Sequence, residues 1–314
     1  MCAAIKSNGQ FENRPRAAAI SMLGAMVILG FIDNFIARIS ETVGVWQFVI
    51  LRSLFMAPLL MFMSYVGLGS LRPKNWAPVL ARALILSTSM FLYFGALGLM
   101  QISEALAGLF TSPIWVLLIN AIVQRRRIGP WRVFAVLVGF CGTLLVLQLG
   151  GRGINFVMMM PVAAGFFYAV SSIATRSWCA GESALGLLGA NILVLGCMAA
   201  SVQVLLYFLS LDTGGYLARS WVWPISDVVP YIVLQAVGSL AGVFCIIRAY
   251  QMDEPSNVAV FEYSVMIFAS TAAWLFFGQL LSFWQVLGIG LIILAGLIIA
   301  FRAKWSEISP QNSR

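Results

Sequence analysis

Four ionisable side chains stand inside long apolar stretches of this chain. They are Asp33 in "GFIDNF", Arg52 in "VILRSLF", Arg82 in "LARALIL" and Glu262 in "AVFEYSV". Mid-helix in a membrane, such a residue costs roughly 2.5–3.5 kcal/mol, and less where it pairs or meets water. Asp33 and Arg52 flank a short turn between two apolar segments, so an Asp33–Arg52 pair is the first structural expectation. Such a pair either fixes helix packing or faces a cavity and opens when a substrate or proton arrives. Snorkelling to the interface is the third reading. Glu262 follows the helix-opening Pro255 by two turns. Ala259, Met266 and Ala269 share its face, a wall small enough to admit a ligand. A carboxylate there suits a proton carrier or an amine binder, or it pairs with Arg82 or Arg248.

Hydroxyl, amide and aromatic groups extend these charges into stripes. Arg82 continues along one helical face through Ser89, Tyr93 and Ala96. Tyr168, Ser172 and Thr175 form a second stripe, and Gln235, Ser239 and Gly242 a third. Serine and threonine in membranes also bond neighbouring backbone, so each stripe has a packing reading beside the cavity one. Tyr93, Tyr168 and Tyr263 are candidates for stacking on a planar or cationic substrate. The substrate-binding candidates are thus Arg52, Arg82, Ser89, Tyr93, Tyr168, Ser172, Gln235, Glu262 and Tyr263, with Asp33 and Glu262 as coupling or gating groups.

Composition decides what must hold these groups. The 314 residues are 61% hydrophobic and only 10% charged, with a mean hydropathy of +0.95, against about a quarter charged in soluble domains. This reads as a polytopic membrane protein, with the lipid bilayer as its partner. The net charge of +8 is dispersed between apolar segments, which argues against nucleic acid. The absence of histidine removes Ser-His-Asp triads, zinc-protease motifs and histidine proton relays. Five scattered cysteines form no CxxC pair, and no GxxxxGK[ST] occurs. No metal, no cofactor and no enzymatic activity are expected.

A bilayer core about 30 Å thick takes ~20 apolar residues per helix. Cutting at charges, prolines and polar clusters gives spans at 17–37, 43–67, 76–99, 102–124, 130–149, 155–176, 183–210, 228–251, 255–278 and 282–302. With the N-terminus inside, cytoplasmic segments hold fourteen Lys and Arg residues and the opposite side only Arg38, Arg152 and Arg219. That asymmetry favours both ends in the cytoplasm, with residues 1–16 and 303–314 as tails. Shifting the chain by 153 places Ser103 on Ser256, Trp131 on Trp284, Arg82 on Gln235 and Ser89 on Gly242. Two five-helix halves, 17–150 and 151–302, follow. Because five is odd, the second half runs inverted, as in secondary transporters.

"GFIDNFIARISETVGVWQFVILRSLF", "LARALILSTSMFLYFGALGLMQISEALAGLFTSPIWVLL", "GFFYAVSSIATRSW" and "IRAYQMDEPSNVAVFEYSVMIFASTAAWLFFGQ" resemble the EamA-type members of the drug/metabolite transporter superfamily. The resemblance implies an all-α fold of ten transmembrane helices in two inverted repeats, with alternating access around a central cavity. Members often carry a Gly-Glu pair after helices four and nine; here those places read Gln124-Arg125 and Gly278-Gln279. The implied function is secondary or facilitative transport of a small organic metabolite across a bacterial-type inner membrane. Amino acids and vitamin- or nucleoside-like compounds are the leading classes, driven by a substrate or proton gradient. A non-transporting membrane assembly protein is the alternative, and oligomeric state is open.

Overall fold

The computed structural model describes residues 14–96, 99, 102–123, 129–147, 159–209, 215–278 and 280–308, and these are helical almost throughout. The first rod begins with α1 (Pro15–Ile32), tightens into a 3₁₀ turn at Asp33–Phe35 and resumes as α2 (Ile36–Thr42). Then follow α3 (Val45–Tyr65), α4 (Trp76–Ala96), α5 (Ile102–Leu109), α6 (Ser112–Ile122) and α7 (Pro130–Leu147). The second half of the chain contributes α8 (Met159–Ser177), α9 (Ala184–Leu209) and α10 (Val229–Met252). It closes with α11 (Pro255–Val258), a 3₁₀ stretch at Ala259–Ser264, α12 (Val265–Phe277) and α13 (Phe283–Ile308).

Among the described residues, eight helices are long and apolar enough to cross a membrane. The α8 helix falls short in hydropathy because Ser171, Ser172, Thr175 and Arg176 lie within it. Its setting accounts for that composition. It packs on α4, α5, α6, α10 and α11 at once, so protein rather than lipid surrounds most of it. The apolar part of α13, Phe283–Ile299, is shorter.

Consecutive rods alternate in direction, and side-chain bonds tie their ends together. At the end where α1 begins, the near end, Glu182 accepts the backbone N–H groups of Lys74 (2.9 Å) and Asn75 (2.8 Å). Gln251 donates to the Glu182 carbonyl (3.0 Å), Arg176 to the Gln251 carbonyl (3.2 Å), and the Arg14 N–H to the Met252 carbonyl (2.9 Å). Arg132 adds an ion pair to Glu254 at 2.9 Å. At the opposite, far end, the segment after α9 folds over the α2–α3 turn. Trp46 donates to the Leu217 carbonyl (2.8 Å), and Gln47 exchanges two bonds with Val222 (2.8 and 3.0 Å).

Without water to drive them together, membrane helices rely on close packing at small residues. In α10, Gly238 and Gly242 rest on Ile32 and Leu29 of α1. The tightest approach joins α7 to α13, where Gly142 and Gly288 meet backbone to backbone. A Cβ on Gly142 would lie 2.7 Å from the Gly288 carbonyl oxygen, and one on Gly288 would lie 2.5 Å from that of Gly142. Overpacking of this kind costs ~1–3 kcal/mol. Gly288→Leu is therefore expected to lower the melting temperature of the purified protein in mild detergent, and an unchanged melt would remove this contact from the stability of the bundle.

Candidate functional site

Both intramembrane carboxylates sit where the α-helix gives way to 3₁₀ geometry, Asp33 in Asp33–Phe35 and Glu262 in Ala259–Ser264. Mid-helix 3₁₀ stretches often mark functional sites. The two carboxylates belong to different layers of the bundle.

Glu262 lies in the near-side layer and is buried at 4% exposure. Its Oε1 accepts the hydroxyls of Tyr250 (2.6 Å) on α10 and Tyr168 (2.9 Å) on α8. Ser112, at the start of α6, donates a third bond to the carboxyl group, and Ser172 donates to the Tyr250 oxygen. Charge-assisted bonds of this sort replace hydration. No cation pairs with Glu262 among the described residues, which corrects the expected partnership with Arg82 or Arg248. Met266 and Ala259 are buried with it, so the small wall beside the carboxylate is closed rather than open to a ligand.

Arg82 is the complementary oddity. At 4% exposure it does not snorkel. Its Nε donates to the Thr175 hydroxyl (3.0 Å) and its Nη1 to the Leu187 carbonyl (3.4 Å). Cys179 lies nearby just beyond α8, but burial pushes its thiol up to about 11, so it is neutral and offers no counter-charge. Tyr168, half-buried, stands between the two ions: its hydroxyl bonds Glu262 while its ring lies within electrostatic reach of Arg82.

The far-side layer is open. Asp33 is exposed, and Arg52 of α3, Tyr93 of α4 and Gln235 of α10 lie within electrostatic or hydrogen-bonding reach of it. Gln235 donates to the Ile32 carbonyl (2.7 Å) and, more weakly, to Asp33 Oδ1 (3.5 Å). Arg52 is half-buried over the Phe48 ring, 5.5 Å from its centroid. Its Nε is buried with no hydrogen-bond partner. Asp33 and Arg52 act on each other's charge, yet no ion pair joins them among the described residues. That corrects the expected contact pair: the two helices bring the charges into one layer but hold them apart. Tyr216, in the far-end segment, completes the layer. Burial pushes its phenol up to about 12, against the opposing pull of the Arg52 cation.

The other candidates divide accordingly. Tyr93 is half-buried beside Asp33, in the open layer. Ser89 is fully buried and spends its hydroxyl on the Ala164 carbonyl (2.7 Å), the packing reading of its stripe. Gln235 is fully buried and reaches Asp33 only through its weak bond. Tyr263 is fully buried against Gly139 with its hydroxyl unpartnered, so it does not line the open layer. Ser172 is bonded to the Tyr250 hydroxyl. The sequence reading missed Tyr250, Ser112, Phe48 and Tyr216. Only Tyr250 left a signal, a lone phenol twelve residues before Glu262 across the Pro255 break.

Residues 16–148 match the EamA-like transporter family. The chain is 24% identical to a riboflavin transporter of Rhizobium johnstonii, over 93% of this chain and 90% of that one. The first half of this chain is thus similar to the EamA-type drug/metabolite transporters. The chain is also 22% identical to an S-adenosylmethionine uptake transporter of Rickettsia prowazekii, over 82% of each. A crystal structure of a protein 19% identical superposes with a TM-score of 0.75, covering 93% of this chain and 99% of that one.

Removing one donor from a buried carboxylate leaves it under-solvated, and hydrogen bonds to charged groups contribute ~1.5–3 kcal/mol. Tyr250→Phe is expected to lower the denaturation midpoint of the detergent-solubilised protein by that order. Tyr168→Phe should cost less, because half-buried Tyr168 leaves room for water to replace it. Equal, negligible effects would mean that the phenols do not hold Glu262.

Proposed function

We propose that this protein is a secondary or facilitative transporter of a small organic metabolite, working by alternating access between two inverted five-helix halves. The observation that carries this reading is the stacking of an open, charged layer at the far end over a sealed, charged layer nearer the other end. A polytopic chain has little reason to hold four costly ions in its interior unless they meet a polar solute or a proton. The relatives named for riboflavin and S-adenosylmethionine transport support the same class of activity.

The ten-span count and the halves, 17–150 and 151–302, find support in how helices pair. The α1 helix packs on α10, and its repeat-equivalent α8 packs on α4, the equivalent of α10. Likewise α4 on α9 matches α10 on α3, while α3–α9 and α7–α13 are each their own counterpart. The fourth span breaks between Leu109 and Ser112, and a shift of 153 carries that break onto the end of the 3₁₀ stretch at Ala259–Ser264. An inverted two-fold arrangement accounts for all of these at once. In this reading the tails 1–16 and 303–314 and the near end are cytoplasmic, in a bacterial-type inner membrane. The near-end bonds then form the closed gate of an outward-open state. Asp33 and Glu262 are the coupling or gating groups, with a proton or substrate gradient as the driving force.

Purified protein in liposomes is expected to move riboflavin or S-adenosylmethionine. Asp33→Asn and Glu262→Gln are each expected to cut that flux by on the order of tenfold at unchanged membrane abundance. Full flux in Asp33→Asn at normal abundance would remove Asp33 from the mechanism. Capture of a partner subunit with no flux of any solute would favour the assembly-protein reading instead.

A further inference from the structure

The far end of α9 carries a site that the ionic layers do not use. At ~1.5 Å per residue the 26 residues of α9 reach about 39 Å, against a hydrocarbon core of about 30 Å. With its first turn at the near end, its last two turns, Gln203 to Leu209, rise through the far boundary of the core to the headgroup level. Trp221 and Trp223, both exposed on the segment that follows, mark the same level as an interfacial aromatic belt. Between α9 and that segment lies a cavity of about 230 Å³, lined by Gln203, Val204, Tyr207, Phe208, Ser220 and Trp221.

Three of these side chains are aromatic and none is charged. Gln203 is only 9% exposed, and its Oε1 has no hydrogen-bond partner. Such an oxygen is a standing penalty that an incoming N–H or O–H group removes. The terminal torsion of glutamine is soft, so the amide turns toward a donor in the cavity without moving the rest of the side chain. Ring faces attract a cation, and a neutral acceptor beside them selects a cation that carries N–H. Arg219, the residue before Ser220, is anchored to the Ser40 and Glu41 carbonyls (3.0 and 3.1 Å), which fixes a positive charge one residue from the wall. Toward the middle of the membrane, Leu205, Ser201, Cys197 and Leu193 continue from the cavity as one exposed stripe of α9. The Ser201 hydroxyl is spent on the Cys197 carbonyl (2.9 Å), so the stripe is apolar toward lipid.

We infer that this cavity is a binding site for a phospholipid with a primary ammonium headgroup, of the phosphatidylethanolamine type. The ammonium donates to Gln203 Oε1 among the three rings, the phosphate takes the Arg219 charge, and an acyl chain runs along the α9 stripe. A choline headgroup keeps the ring contacts but has no N–H to donate. A glycerol headgroup has O–H donors but no cation for the rings. The segment that forms the outer wall is also bonded to Trp46 and Gln47 at the start of α3. A lipid held there ties α9 to the cover of the Asp33–Arg52 layer. The site stands whether or not the transport reading does.

The test is lipid-induced thermal stabilisation of the delipidated full-length protein in mild detergent. The probes are dioleoyl phosphatidylethanolamine, phosphatidylcholine and phosphatidylglycerol. The ethanolamine lipid is expected to bind on the order of tenfold more tightly than the other two. Gln203→Leu, close in volume but without the amide, should abolish that preference, and Trp221→Ala should weaken the ethanolamine and choline lipids alike. If Gln203→Leu fails to fold, Gln203→Met takes its place. Stabilisation by the choline or glycerol lipid as strong as by the ethanolamine lipid overturns the inference. A preference for ethanolamine that survives the loss of the Gln203 amide does the same. So does a dimer in detergent that Trp221→Ala dissociates, because the face then belongs to a second copy.

Discussion

Charge in a low-dielectric slab is the constraint from which this architecture follows. Each of the four interior ions must find hydroxyls, amides, backbone carbonyls or water, and the helices are arranged to supply them. Glu262 draws donors from three rods, α6, α8 and α10, so those rods are held in register around one carboxylate. Arg82 ties α4 to α8 and α9 in the same way. The polar composition of α8 is the cost of standing between the two. That composition is tolerable because other helices, rather than lipid, cover it.

The two layers solve the problem differently. Near-side ions are solvated by the protein and excluded from solvent. On the far side Asp33 is exposed and the Arg52 Nε has no hydrogen-bond partner, with Phe48, Tyr93 and Tyr216 around them. Low-cost rearrangement requires that no ion be stranded between states. Hydroxyl donors suit that need better than ion pairs, because a phenol can let go of a carboxylate without leaving a bare cation behind.

Much of this was legible in the sequence. Apolar run length and punctuation located the helical rods to within a few residues, since hydrophobic thickness leaves little freedom. The four ions also announced themselves, because charge is rare enough in this chain for each to need a reason. Their partners did not. Asp33 and Arg52 flank a short turn, yet a 3₁₀ tightening and the Phe48 ring keep them apart, and neither device has a linear signature. Glu262 found Tyr250, on the far side of the Pro255 break, rather than Arg82, because orientation about the helix axis is set by packing. Ser89 shows the limit most plainly. A serine that bonds a neighbour's carbonyl and a serine that lines a cavity are the same letter at the same spacing.

The bonds that fasten the near end have a consequence for how the molecule responds to its surroundings. Glu182 grips two main-chain amides, and Gln251, Arg176 and Arg14 reach main-chain carbonyls; Arg132–Glu254 is a conventional attraction between side chains. Mobile electrolyte weakens the latter far more than short directional contacts with peptide groups. That main-chain part of the fastening thus responds little to ionic strength, and it yields chiefly when the helix termini themselves shift against one another.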